Sequence, residues 1–187
     1  TFGISISNFI KNFIYKINTD PKKAVSRNDY KKFLKEGAAN FENKSNFLSV
    51  IGQTRLVTNG TKFLYANNQP IITKNIIGVH NGIIVNYDHS TTDKTVNLEG
   101  HNIKSDSLEF YENLEKINAK SQNFLLDYLS YLKAVTGNYS IAFRILGTSQ
   151  VILSSNCGAL YYFYDEKINF FTFSSEKIFL IKFLKKS

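Results

Sequence analysis

The chain has 187 residues, 43% of them hydrophobic, and a formal net charge of +8. This length is enough for one domain with its own core. The lysines are scattered and form no aromatic–basic RNA-binding motif, so no nucleic-acid partner is predicted. The single cysteine, Cys157, excludes an internal disulfide and a cysteine-rich metal site, and the three histidines lack metal-ligand spacing, so we predict no metal and no cofactor. We expect Cys157 to be a small buried residue of a cytoplasmic protein.

The first half of the chain carries both strand and helix patterns. Strands are predicted where apolar and polar residues alternate or β-branched residues cluster, at residues 2–6, 47–52 and 76–85. Short helices are predicted at residues 8–17 and 26–35, and the first of these is too short and too charged to span a membrane. Turn chemistry marks residues 67–70 and is expected to break the third strand at 80–82, while the polar stretch 88–99 indicates a surface loop.

The second half begins with helices and ends in a run of strands. Ser105 is a candidate cap for a helix over residues 105–114, and a clearer helix follows at 121–135, ended by Gly137. The predicted apolar face of that second helix is Leu125, Tyr128, Leu129 and Leu132. Four strands follow, at residues 139–146, 150–154, 160–164 and 169–173, and then an amphipathic helix at 175–184. Strands at both ends with helices between them predict an α+β fold, in one domain over residues 1–187.

Four short motifs together suggest a glutamine-binding pocket. They are Gly52-Gln53-Thr54-Arg55-Leu56-Val57-Thr58-Asn59-Gly60, Asn68-Gln69-Pro70, Val79-His80-Asn81-Gly82-Ile83-Ile84-Val85-Asn86-Tyr87 and Ser105-Asp106-Ser107. In this order they resemble the class II, N-terminal-nucleophile glutamine amidotransferases, similar to the domains found in asparagine synthetase and glutamine–fructose-6-phosphate aminotransferase. The resemblance implies a four-layer α-β-β-α sandwich with two antiparallel sheets. It also implies hydrolysis of L-glutamine to glutamate and ammonia.

The resemblance assigns a residue to each polar group of glutamine. The α-carboxylate fits a bidentate arginine, which implies Arg55 with help from Thr58, although Arg55 as a surface ion-pair residue is an alternative. The α-ammonium fits the carboxylate of Asp106, whose alternative role is to cap the following helix. The Asn81 side chain and the Gly82 N–H fit an oxyanion hole for the amide oxygen. Taken alone, however, Asn81-Gly82 is also a common hairpin turn.

The nucleophile of this family is missing at the expected position. The family begins Cys-Gly-Ile, whereas this chain reads Thr1-Phe2-Gly3-Ile4, so Phe2 takes the position of the catalytic cysteine. Phenylalanine cannot attack an amide, and its ring is expected to crowd the mouth of the pocket. Thr1 is a possible nucleophile type, but it lies one residue out of register, where a strand turns the side chain to its other face. We therefore expect no glutaminase activity.

Two functions follow from the resemblance. The chain is either an amidotransferase domain that supplies ammonia to a downstream synthase domain or subunit, or a non-catalytic glutamine-binding or regulatory module that docks on such a synthase. The acceptor would be asparagine-synthetase-like or a sugar. L-glutamine is the expected ligand, no membrane partner is expected, and a homo-oligomer stays open. The last helix, with Phe179, Phe183 and Leu184, is the candidate contact surface, and His80 is expected to be structural.

Overall fold

The computed structural model describes residues 1–9, 11–41, 47–54, 64–85 and 104–186. Within these residues the strands are β1 (Phe2–Ser7), β2 (Asn12–Ile17), β3 (Ser49–Thr54), β4 (Ile71–Ile72), β5 (Ile76–Ile84), β6 (Gly137–Ile145), β7 (Val151–Ser155), β8 (Tyr161–Asp165) and β9 (Phe170–Ser174). The helices of the same residues are α1 (Pro21–Ser26), α2 (Asn28–Phe41), α3 (Asp106–Lys120), α4 (Phe124–Ala134) and α5 (Lys177–Leu184). The predicted α+β class is confirmed. No helix in this part of the chain has the length and apolar character that crossing a membrane requires.

The strands of the described residues form three antiparallel sheets. The first has the order β2-β1-β3, the second has the order β4-β5-β6-β7, and β8 pairs with β9 alone. The sequence led to an expectation of two sheets, and the difference arises because β8 and β9 form a separate hairpin that packs against α5. The predicted surface loop at residues 88–99 lies outside the described residues.

Strand β2 replaces the short helix that the sequence predicts over residues 8–17. The side-chain oxygen of Asn8 accepts a hydrogen bond from the Lys11 N–H at 2.7 Å, and the Asn8 N–H donates to the Lys11 carbonyl at 3.0 Å. This turn returns the chain along β1, and β2 pairs with β1 over its whole length. Aromatic and β-branched side chains such as Phe13 and Ile14 suit a pleated sheet better than a helix. Pairing with β1 therefore makes this segment a strand and not a helix.

Helix α4 forms as predicted, but its inward face is only partly the predicted one, because Tyr128 and Leu132 pack on the core and two leucines do not. Tyr128 is buried as expected, whereas Leu125 and Leu129 are 55% and 47% exposed. The inward face instead carries Phe124, whose ring stacks on that of Tyr128 at 6.0 Å. Both rings pack edge-on against Phe143 of β6, with centroids 6.2 and 5.2 Å away. Large aromatic rings bury more apolar surface than leucine, so they take the core-facing positions.

The main core lies between the second sheet and helices α3 and α4. Its completely buried residues include Ile71, Ile76, Phe110, Tyr111, Leu114, Ile141 and Phe143. On the first sheet, Tyr15 of β2 packs against Tyr30 and Phe33 of α2, with ring centroids 5.4 and 5.7 Å away. A smaller apolar cluster of Ile51, Val79 and Ala142 joins β3 of the first sheet to β5 and β6 of the second. The first two sheets are therefore in direct contact.

A buried arginine also connects these two sheets. Arg144 of β6 is fully buried, and its guanidinium donates to the Ser7 hydroxyl at 2.8 Å, to the Asn8 carbonyl at 3.3 Å and to the Thr148 carbonyl at 2.9 Å. Its burial lowers the pKa of the group. Because hydrogen bonds to charged groups are stronger than neutral ones, these contacts hold the end of β1 against β6.

Because of Lys16 in β2, we expect the free energy of unfolding to rise at alkaline pH. Its ammonium lies 4.6 Å from the centre of the Tyr65 ring, and burial lowers its pKa from 10.5 to about 8. Between these values the unfolded chain binds more protons than the folded one, so the free energy of unfolding should rise with pH across this window. Urea unfolding from pH 7.5 to 9.5, below the range in which the tyrosines ionise, should show this rise in the native protein and a smaller one in Lys16→Met. The exposed Lys32→Met is the control, and an equal rise in all three proteins would contradict the prediction.

Candidate functional site

A cavity of about 710 Å³ lies where the start of β1, the middle of β5 and the start of α3 meet. It is lined by Thr1, Asn18, Thr19, Asp20, Pro21, Gln53, Thr54, Gln69, His80, Asn81, Gly82, Asp106 and Ser107. Its volume lies within the range of pockets that bind small molecules. Asn81 and Gly82 of one motif and Asp106 of another thus share one cavity. Two others, Arg55 and Thr58, lie outside the described residues.

Asn81 and Gly82 lie inside β5 rather than in a turn. They pair with Ser140 and Tyr139 of β6, so both the hairpin-turn alternative and the expected break of this strand are wrong. Gly82 has a φ of 132°, and a Cβ at this residue would overlap with the carbonyl oxygen of Asn138. Only glycine fits both the backbone conformation and the close approach. Pairing with β6 therefore continues past Gly82, although the backbone of β5 is distorted at this residue in the wall of the cavity.

Asp106 is held rigidly at the first turn of α3. One carboxylate oxygen accepts from the Ile84 N–H at 3.0 Å, and the other accepts from the Ser107 N–H at 2.8 Å. The cap of this helix is Ser105, whose hydroxyl accepts from the Leu108 N–H at 3.1 Å. Ser105 and not Asp106 is therefore the cap of α3. Its carboxylate instead links the end of β5 to α3 and borders the cavity.

The charge of the cavity wall favours a cationic group. Among the described residues that line it, Asp20 and Asp106 are the charged side chains, and both are acidic. Asp20 is itself engaged as the cap of α1, where it accepts from the Lys22 N–H at 2.9 Å. Asp106 is buried, and a carboxylate in a protected site attracts an ammonium group more strongly than one in open water.

Gln69, His80 and Ser107 form a polar network in the cavity wall that the sequence analysis did not assign. The Gln69 side-chain amide accepts from the His80 N–H at 2.6 Å and donates to the His80 carbonyl at 2.8 Å. The His80 Nδ1 lies 2.9 Å from the Ser107 hydroxyl and 4.0 Å from the Asp106 carboxylate. His80 thus has the expected structural contacts and also lines the site. The available signal was Asn68-Gln69-Pro70, which was selected as one of the four motifs and as turn chemistry, but without a role for the Gln69 side chain.

The start of β1 presents Thr1 to the cavity, and Phe2 is absent from its lining. The Phe2 ring instead packs edge-on against Tyr30 of α2 and Tyr15 of β2, with centroids 5.6 and 6.4 Å away. A Cβ on Gly3 would overlap with the carbonyl oxygen of Gln69, so residue 3 faces the second sheet. Because side chains alternate along a strand, residue 1 shares this side and Phe2 does not. Phe2 is therefore absent from the lining of this cavity, but it lines a smaller cavity that adjoins it at Gln53, Thr54 and Asn81, so the expectation that its ring crowds the mouth of the pocket stays a prediction.

Cys157 is exposed, so the expectation of a small buried residue is also wrong. Its sulfur lies 3.4 Å from the Ser140 hydroxyl and 3.5 Å from the Tyr139 carbonyl. Hydrogen bonding, first of all with Ser140, lowers the pKa of the thiol. The residue lies two positions after the end of β7. It is not among the residues that line the cavity.

The arrangement is suited to an uncharged amide attached to an ammonium group. Asp106 is placed for the ammonium, and the Asn81 side chain is a donor and acceptor for the amide. Within the described ranges, no three His, Cys, Asp or Glu side chains are grouped so that they could hold a metal ion. Since no protein-family model and no curated protein matches this chain, its own residues and their geometry carry the functional interpretation.

Proposed function

We propose that the chain is a class II glutamine amidotransferase domain that binds L-glutamine and, in its present sequence, lacks glutaminase activity. The observation that carries this proposal is that Asn81 and Gly82 of one motif and Asp106 of another line one cavity beside the start of β1. Asp106 receives the α-ammonium of glutamine, and Asn81 with Gly82 receives the amide oxygen. Arg55 and Thr58 bind the α-carboxylate, and Gln53 and Thr54, which directly precede them, line the cavity.

The fold that goes with this proposal is the four-layer α-β-β-α sandwich of N-terminal-nucleophile hydrolases. Three contacts support it. Helix α2 packs on the first sheet through Tyr30 and Phe33, and α3 and α4 pack on the second. The two sheets contact each other through the Ile51, Val79 and Ala142 cluster. Such a sandwich would hold the start of one strand at the junction of the sheets, where a nucleophile is needed.

The missing step is the attack on the amide carbon. A thiol at the start of β1 would perform it in this family, whereas the residue here that lines the cavity is Thr1 and its neighbour is Phe2. A hydroxyl is a much weaker nucleophile than a thiolate unless a base activates it. We therefore expect glutamine binding without release of ammonia. In an active relative, that ammonia would pass to a downstream synthase domain or subunit in the cytoplasm.

Asp106→Asn should weaken L-glutamine binding about 100-fold, because it removes the charge opposite the α-ammonium in a buried site. Asparagine keeps one acceptor oxygen and can therefore retain one of the two backbone hydrogen bonds that Asp106 accepts, so thermal unfolding of the variant is measured beside its binding. Calorimetric titration with L-glutamine measures the effect, and Arg55→Ala should cause a similar loss. The matched control is Glu112→Gln on the same helix, where a half-exposed carboxylate pairs with Lys104 at 2.9 Å. This control should bind glutamine as the native protein does.

Two results would contradict the proposal. Equal affinity of Asp106→Asn and native protein, with normal thermal unfolding of both, would remove Asp106 from the site. Release of ammonia by the native protein in a parallel assay would show that Thr1 is an active nucleophile and that the inactive half of the proposal is wrong. Native-like binding by Glu112→Gln would show that the effect belongs to Asp106 and not to charge on α3 in general.

A second candidate function, a docking module, is favoured by the surface of α5. Phe179 and Phe183 of this helix are 60% and 49% exposed, whereas Leu180 is buried against the protein. Leu184 is half-buried. Exposed apolar residues grouped on one helix are typical of a protein contact surface. A synthase domain that binds the native protein, but not Phe179→Glu, and does so without glutamine would favour this function over the first.

A further inference from the structure

A second cavity, of about 470 Å³, adjoins the proposed glutamine cavity. Gln53, Thr54 and Asn81 line both cavities, so the two are neighbours across these residues. The apolar residues that line the second cavity are Phe2, Ile4, Val79, Ala142, Leu160, Phe173 and Phe179. Polar residues 174–176, before α5, also line it. The side chains that line the first cavity are mainly polar, whereas the second cavity combines this apolar wall with polar residues on its other sides.

Asn81 determines how one ligand would occupy both cavities. This placement of the ligand rests on the proposed function, in which Asn81 binds the side-chain amide oxygen of glutamine. The amide nitrogen is bonded to the same carbon and therefore lies beside Asn81, at the boundary between the two cavities. In free glutamine this nitrogen carries only hydrogens. A substituent on the nitrogen would instead extend away from the amino-acid head, and the second cavity is the space that adjoins it.

The volume and walls of the second cavity favour an apolar substituent. A space of about 470 Å³ corresponds to roughly fifteen water molecules at their liquid volume. Glutamine itself has no group that would displace this water from beside Val79 and Phe173. An alkyl or aryl group would displace it, and the release of water from apolar walls favours binding.

We propose that the site takes γ-glutamyl amides that carry an apolar substituent on the amide nitrogen. The γ-glutamyl head occupies the larger cavity, with its ammonium at Asp106 and its amide at Asn81. The substituent occupies the smaller cavity, against Val79, Ala142 and Phe179. The ligand class is therefore that of an amino acid joined through an amide to an apolar amine, and L-glutamine is its smallest member.

Calorimetric titration of the native protein with three ligands tests the proposal. The ligands are L-glutamine, its γ-ethylamide and its γ-anilide, which share one head and differ only in the substituent. The anilide should bind at least about tenfold more tightly than L-glutamine, with the ethylamide between them, because each added apolar group in a matching pocket gives a gain of about tenfold or more.

A pair of exposed aromatic residues supplies the matched variants. Phe179→Ser removes an apolar wall of the second cavity at a position that is 60% exposed, so the fold should be kept. It should reduce the ratio of anilide to glutamine affinity several-fold. Tyr162→Ser removes an aromatic ring that is 68% exposed and is not among the residues that line the cavity. This control should leave the ratio at its native value.

The outcomes separate this proposal from the one on which it rests. If L-glutamine binds and the anilide binds equally or more weakly, the second cavity is not a substituent site and this inference is overturned, while the proposed function stands. If no ligand binds in a manner that depends on Asp106, the proposed function fails and this inference fails with it. Tighter anilide binding that is lost in Phe179→Ser and kept in Tyr162→Ser supports the assignment.

Discussion

A cysteine at residue 1 should create glutaminase activity in this protein, whereas a cysteine at residue 2 should not. Thr1 lines the cavity that also contains Asn81 and Gly82, and the Phe2 ring packs toward Tyr30. In a Thr1→Cys protein prepared so that residue 1 carries a free α-amine, the amine can act as the base for the thiol. We expect ammonia release at least about 100-fold above that of the native protein, since general-base activation alone contributes on this order. A coupled ammonia assay with L-glutamine measures it.

Two comparisons make this test decisive. Phe2→Cys with residue 1 removed gives Cys-Gly-Ile, the start of the amidotransferases that the sequence resembles. Residue 2 packs toward Tyr30 and lines the smaller cavity but not the one that contains Gly82 and Asp106, so this variant should leave activity near background. If that protein is active and Thr1→Cys is not, the strand register described above is wrong. Adding Asn81→Ala to Thr1→Cys should reduce the activity about 100-fold, the usual effect of losing one oxyanion-hole donor. Equal activity of Thr1→Cys with and without Asn81→Ala would show that Asn81 takes no part in the reaction.

Gly3→Ala should lower the free energy of unfolding by about 3 kcal/mol, the upper part of the range for adding a methyl group to a filled space. A Cβ at residue 3 would overlap with the carbonyl oxygen of Gln69 and lie close to the Pro70 ring. The obstacle is backbone, which cannot rotate away as a flexible side chain can. Urea unfolding followed by tyrosine fluorescence measures the change, since the chain has no tryptophan. The same substitution should weaken glutamine binding, because it pushes β1 away from the cavity wall.

Gly147→Ala is the matched control for this effect. Gly147 has a φ of 79°, but a Cβ there would meet nothing within 4 Å, so the substitution carries only backbone strain. That strain costs about 1 kcal/mol for an ordinary residue. A loss in Gly3→Ala no larger than that in Gly147→Ala would contradict the close approach of β1 to the turn at residues 69–70.

The local patterns of the sequence identified most elements and much of the site. Alternation and β-branched content located β1, β3 and the strands after Gly137, and the order Ser105-Asp106-Ser107 indicated a capped helix. These features depend on neighbours in sequence, such as the hydroxyl of a cap and the N–H three residues later. Asn81, Gly82 and Asp106 were selected by resemblance, and the fold brings them to one cavity. Whether they bind glutamine stays a prediction.

The errors arose where a distant partner outweighs local preference. Residues 8–17 carry apolar side chains that are compatible with a helix, but pairing with β1 makes them a turn and a strand. Asn81-Gly82 has turn chemistry, but β6 supplies hydrogen-bonding partners on the adjacent strand and keeps the segment in β5. In α4, the position of Phe143 on the facing sheet selects Phe124 and Tyr128 over two leucines. None of these partners is visible in the segment itself.

The sequence by itself determined the α+β class, the approximate strands and helices, and that residues 1 and 2 are not cysteine. Only the tertiary structure decided that Thr1, and not Phe2, lines the cavity. Alternation along a strand states that residues 1 and 2 face opposite sides, but it does not say which side is the site. The contacts of the two neighbouring residues fix the orientation of the strand. The Gln69 backbone leaves room only for a glycine at residue 3, and the Phe2 ring packs against Tyr30 on the other side of the strand.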